Sequence, residues 1–219
     1  MNLVVLPVVV PLLSAGLALL VMRSLPLQRV VALGANLVAL GTAIALLVAV
    51  ESDGIQAQTL GGWPAGVGIT LVAALAAALF LVVSLVVIVV VQVFAIGQGV
   101  DEGHPRIGQP VYLVLSAGVS LSFLTGDLFN LFVAFEVMLI ASYVLLTLGA
   151  GAAQIRSGMT YVVINVLAST FLLATVGLIY GATGTVNLAE LAGRFAELPE
   201  STQAALGILL ISVFAIKAA

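Results

Sequence analysis

Between residues 69 and 96 the chain reads ITLVAALAAALFLVVSLVVIVVVQVFAI, without a single charge. Comparable apolar runs occupy residues 3–22, 30–50, 110–125, 128–148 and 157–180, and a further one begins at 202. A helix needs about 20 apolar residues to cross the roughly 30 Å hydrocarbon core of a bilayer. In that medium the backbone has no water to bond, so the runs must close their own hydrogen bonds as helices. Only 7% of the 219 residues are charged and 63% are hydrophobic, against about 25% charged in a soluble domain. The expectation is an all-α, polytopic membrane protein with about seven transmembrane helices. The first run has no basic segment before it and is followed by more spans, so it reads as a span rather than a cleaved signal.

The same sparseness excludes several functions. No basic run exists that could hold nucleic acid. With no cysteine, disulfides and thiolate metal sites are ruled out. No glycine-rich phosphate loop, H-E-x-x-H helix or Ser-His-Asp pattern is present, and nothing reads as a quinone, flavin or nucleotide site. No cofactor and no metal is therefore expected, and a transporter component is a better reading than an enzyme.

Polar breaks divide the runs. Residues 51–68 form a glycine-rich loop containing Trp63 and Pro64, where an interfacial tryptophan belongs. Residues 97–109 form another, with Asp101, Glu102, His104, Pro105 and Arg106; His104 reads as an ordinary loop residue. This loop separates residues 1–109, with the first three spans, from residues 110–219. Residues 110–125 and 128–148 read as a helical hairpin turned at Gly126 and Asp127, with Asp127 in reach of water. Residues 187–200 alternate apolar Leu188, Leu191 and Phe195 with polar Glu190, Arg194 and Glu197 at helical spacing, as in a helix lying on the membrane surface. If the N-terminus is outside, the inner loops hold Arg23, Arg29, Arg106 and Arg156 and the outer loops only Arg194, as the positive-inside bias requires.

Two charges fall deep within spans. Glu136 lies about 13 Å along its helix and Lys217, the only lysine, about 22 Å along the last one. A charge at such depth costs a few kcal/mol even on lenient scales and marks a functional hypothesis by default. A carboxyl balanced between desolvation and a nearby cation can exchange a proton, and a buried lysine is suited to the same task. The plainer readings are a protonated carboxyl bonded to a neighbouring helix and a lysine snorkelling to the interface. Tyr143 shares the helix face of Glu136 two turns on, and Asn165, Ser169 and Thr170 mark one side of the sixth span. Tyr143, Asn165 and Ser169 are candidates for a polar path, with interhelical packing as the alternative.

The segment FLTGDLFNLFVAFEVMLIASYVLL (residues 123–146) resembles the D subunit of multisubunit, Mrp-type Na+/H+ antiporters. That family is related to the antiporter-like membrane subunits of respiratory complex I. The terminal FAIKAA (214–219) and the GGWPAGVGITLVA segment (61–73) resemble further family segments. The resemblance implies the first part of a protein of about fourteen helices built on inverted five-helix repeats, continuing beyond residue 219. It also implies a proton-translocating pair, Glu136 and Lys217, exchanging protons for Na+ or K+. The implied partners are the bilayer and the other subunits of the assembly, and the implied place is a prokaryotic plasma membrane. A proton-pumping membrane subunit of an NADH-quinone oxidoreductase-like assembly is the alternative. A retinal-binding seven-helix opsin with Lys217 as the Schiff base is more distant, since the spans are poor in aromatic residues. A purely structural role in assembly is the remaining reading.

Overall fold

The computed structural model describes residues 3–62, 68–103, 107–148 and 151–218. The segments around Trp63 and Pro64, and around His104, Pro105 and Arg106, lie outside the described residues. Helix α1 (Leu6–Leu20) carries Pro7 in its first turn, where no amide partner is needed, and Pro11 within. Helices α2 (Leu25–Asp53) and α3 (Leu75–Gly97) follow, then α4 (Gly108–Leu124), α5 (Leu128–Thr147), α6 (Ala152–Thr183), the short α7 (Leu188–Ala196) and α8 (Glu200–Ala218). Five of these, α2, α3, α5, α6 and α8, are long and apolar enough to cross a membrane; α1 and α4 are apolar but shorter. Their outward faces stay apolar, with Phe80, Val90 and Phe94 on α3 and Val163, Leu167 and Phe171 on α6 exposed.

The expected third span begins too early. Residues 70–73 are not helical: they form strand β2 (Thr70–Ala73), antiparallel to β1 (Gln56–Thr59). Helix α3 starts only at Leu75. Thr70 and Val72 are β-branched and favour extended backbone, and the pairing with residues 56–59 supplies the hydrogen bonds that would otherwise start a helix.

The helices form two packed groups. In the first, α1 lies against α2 and α4, and α3 against α2 and α4. Ala15, Ala18, Ala32 and Ala35 are buried where α1 and α2 meet Leu113 of α4, small residues that allow backbones to approach. In the second, α6 packs against α5 and α8 around Leu172, Val176, Ile179, Leu206 and Val213. Gly118 joins the two groups: a Cβ there would stand 2.9 Å from the Met138 backbone nitrogen, so α4 and α5 touch almost backbone to backbone. The amphipathic α7 lies over the second group with Leu191 and Phe195 turned inward. Asn187 caps it, accepting from Ala189 and Glu190 amides at 3.0 and 3.3 Å.

At one end of the helices a main-chain ladder ties the groups together. Leu71 of β2 bridges Thr125, and Asp127 bridges Asn187. The Gly126 amide donates to Thr70 O at 2.8 Å, Leu128 N to Val186 O at 2.9 Å and Leu188 N to Gly126 O at 2.9 Å. The ladder also corrects the expectation that Asp127 meets water. Enclosed by its neighbours, it is only 7% exposed, and its carboxylate accepts the Asn130 amide at 2.5 Å as the N-cap of α5. Burial pushes the Asp127 carboxyl above the usual carboxylate range, against the pull of the Asn130 and Phe129 amides. Asp127→Ala removes this cap and should lower stability by about 1 kcal/mol. A thermal-unfolding comparison with Asp127→Asn, which keeps an acceptor, checks it.

Candidate functional site

The two deep charges come together with a third residue between them. Glu136 sits on α5, Ser169 on α6 and Lys217 on α8, so the group forms only where three helices converge. The Lys217 ammonium donates to Ser169 Oγ at 2.8 Å. The Ser169 hydroxyl in turn donates to Glu136 Oε1. Ammonium and carboxylate therefore communicate through one hydroxyl rather than by direct contact. Ser169 is buried, whereas Glu136 and Lys217 are half-buried.

Aromatic rings flank the ammonium. Lys217 Nζ stands 5.5 Å from the centroid of the Phe135 ring, within range of a cation–π attraction. Phe214, one turn before Lys217, meets Phe135 edge to face at 6.3 Å. Beside them lies a cavity of about 200 Å³, walled by Phe135, Met138, Asn165, Phe214 and Lys217. Neither phenylalanine was a candidate in the sequence, although both sit one helical turn or less from a deep charge.

The other sequence candidates divide. Asn165, one turn before Ser169, lines the cavity next to Lys217, and its amide donates to Tyr161 O at 2.9 Å. Tyr143 meets the Tyr161 ring edge on at 5.3 Å and lies two turns beyond Glu136 on the same face of α5. Thr170 is not part of the group: it is exposed and returns its hydroxyl to Val166 O at 2.9 Å.

A set of neutral polar groups did not stand out in the sequence. Gln28, Asn36, Gln92 and Gln109 are almost wholly buried in the first group of helices. Each is uncharged and outnumbered by apolar neighbours. The signal available was a carboxamide recurring inside or at the edge of successive apolar runs.

Residues 125–219 match the family described as NADH:quinone oxidoreductase/Mrp antiporter, transmembrane. Over those residues the chain is similar to that family. Over 217 residues it is 42% identical to the D subunit of the Na+/H+ antiporter of Alkalihalophilus pseudofirmus, covering 99% of this chain and 44% of that protein. Among solved structures, the Mrp complex from Dietzia sp. DQ12-45-1b contains a chain with a TM-score of 0.87 at 34% identity, covering 100% of this chain and 42% of that one. The membrane-bound sulfane sulfur reductase, an archaeal respiratory membrane complex, contains another with a TM-score of 0.89 at 30% identity, covering 97% and 44%. The chain thus spans less than half the length of the relatives it matches. Its matched segment runs from the turn before α5 through α8, and so contains Glu136, Ser169 and Lys217.

Proposed function

We propose that this chain is part of the D subunit of a monovalent cation/proton antiporter, and that Glu136, Ser169 and Lys217 hand on the proton. The observation that carries the reading is the row of two hydrogen bonds from Lys217 through Ser169 to Glu136. A hydroxyl can accept one proton while giving up another. When the ammonium passes a proton to Ser169 Oγ and Ser169 releases its own to Glu136, the products are a neutral amine, a neutral acid and an intact hydroxyl. No charge separation remains in the low-dielectric interior, which keeps the step inexpensive. The reverse step restores the ion pair. Asn165 and the cavity beside Lys217 give water a place to exchange with the amine, and Tyr143 lies on the Glu136 side of the path.

The transported ions under this reading are H+ and Na+ (or K+), and the partners are lipid and the other subunits of the complex. The membrane is the prokaryotic plasma membrane, with the N-terminus outside as the arginine distribution favours. The α1–α2 and α3–α4 turns then lie on the inner side, where Arg29 pairs with Glu102 at 3.2 Å.

Glu136→Gln tests the reading. It keeps the shape and one acceptor for Ser169 but cannot take a proton. In vesicles carrying the assembled complex, Na+-driven proton movement followed with a pH-sensitive dye is expected to collapse. Unchanged movement at normal assembly would sink the proposal. The family description also covers NADH:quinone oxidoreductases, where the same row would serve a pump; proton flux that follows electron transfer and ignores Na+ would favour that assembly.

A further inference from the structure

The first group of helices buries a row of carboxamides that the proposed proton transfer does not use. Asn36 on α2 donates to Gln92 on α3 at 2.8 Å, and Gln92 donates to Gln109 on α4 at 2.9 Å. Their exposures are 0%, 2% and 5%. Donation runs one way along the row, so Asn36 Oδ1 stands at its inner end, sealed from solvent and with no protein hydrogen bond. Ser116 Oγ is buried without a partner as well. It follows Gln109 by seven residues and therefore shares its face of α4. Leaving such groups unbonded is costly, and in native proteins the missing partner is commonly an ordered water.

The outer end of the row opens on a space that can hold water, which meets Gln92 and Gln109 but not Asn36 or Ser116. A cavity of about 140 Å³ is walled by Gln92, Gln109, Tyr112, Ala95 and Leu145, at the end of the helices where α3 leads to α4. That volume holds several water molecules. Tyr112 does not block it chemically, since its hydroxyl is committed to Ile88 O at 2.8 Å. The nearby charges of Arg29 and Glu102 satisfy each other at the helix ends. Along the row itself the groups are neutral, with oxygen lone pairs and amide hydrogens suited to water.

We propose that the cavity and the carboxamide row form an inlet along which water passes into the α1–α4 group, the closed row parting to admit it as far as Asn36 and Ser116. It is separate from the Glu136–Ser169–Lys217 row. Gly118, on the opposite side of α4 from Gln109 and Ser116 by helical geometry, is pressed against the Met138 backbone of α5, so α4 stands between Ser116 and the Glu136 helix, and α5 meets the inlet only at its mouth, through Leu145. Water enters from the α3–α4 end, donates to Asn36 Oδ1 and bonds the Ser116 hydroxyl.

These 219 residues hold no cysteine, so a thiol introduced among them is not confused with a native one there. Single thiols are placed at Ala95 on the cavity wall, at Asn36 and Ser116 deep in the row, and at outward-facing Val90 as a control. Vesicles carrying the full protein are treated with silver ion or with a bulky charged thiosulfonate, then denatured and labelled with a maleimide. The expected result is loss of maleimide labelling after silver for Ala95→Cys, Asn36→Cys and Ser116→Cys. The bulky reagent should block only Ala95→Cys, and Val90→Cys should stay labelled throughout. If Asn36→Cys does not accumulate, the nearly isosteric Ser116→Cys decides alone. Full labelling of the deep thiols after silver would overturn the inlet and leave the row as a dry clamp between helices.

Discussion

Lys217→Ala is expected to reduce cation-driven proton exchange by on the order of a hundredfold or more, the scale of losing a positioned acid–base group. The substitution removes the only lysine of the chain and leaves Ser169 with a donor to Glu136 but nothing to accept from. It also enlarges the existing cavity of about 200 Å³, so water can enter, but water alone does not hold the proton at a fixed distance from Ser169. Lys217→Arg is the sharper comparison. It preserves charge and the contact with the Phe135 ring, yet a guanidinium does not release its proton in proteins. Both variants should therefore fail in the same vesicle assay while the complex assembles. Exchange retained by Lys217→Arg would mean that the position supplies charge and not a mobile proton.

The largest structural effect is expected at Gly126. A Cβ at that position would lie 2.8 Å from Thr70 O and 2.8 Å from Val72 Cγ2, closer than side chains tolerate. The Thr70 oxygen cannot retreat, because it accepts the Gly126 amide at 2.8 Å. Gly126→Val must therefore break the main-chain ladder or displace β2, and overpacking of this kind costs about 1–3 kcal/mol. Reduced accumulation of the complex and a lower unfolding temperature in detergent are the expected readouts. Gly34→Ala serves as the control. Nothing lies within 4 Å of a Cβ there, and an alanine inside a helix is preferred to glycine by about 0.5–1 kcal/mol. Equal behaviour of the two variants would contradict the packing at the turn.

Helices were legible in the sequence because hydropathy over some twenty residues is a sum, and sums survive local error. The α4–α5 hairpin was readable for that reason and from the turn residues between its helices, and the short α7 from its amphipathic spacing. What failed was local and depended on distant partners. Thr70 to Ala73 looked like the opening turn of an apolar helix, since the strand that pairs with them, residues 56–59, lies well back along the chain and is polar. Asp127 looked exposed because turns usually are, and only the approach of residues 186–188 covers it. Glu136 and Lys217 announced themselves by their cost in lipid. That Ser169 stands between them required the registers of three helices at once, which no periodicity encodes. Asn36, Gln92 and Gln109 were hidden by the opposite circumstance: a neutral amide scarcely dents the hydropathy of its run.

The ladder at the turn before α5 has a consequence for how such proteins can be recombined. It is made of backbone amides and carbonyls from residues 70, 126, 128, 186 and 188, and main-chain groups are the same in every sequence. A chimera joining the first four helices of one relative to the later helices of another meets a ladder that carries over unchanged, with Gly126 at the turn and Gly118 against α5 as the strict requirements of the seam. The joint is a common fitting, and a divergent pair of halves that keeps glycines at 118 and 126 should still couple.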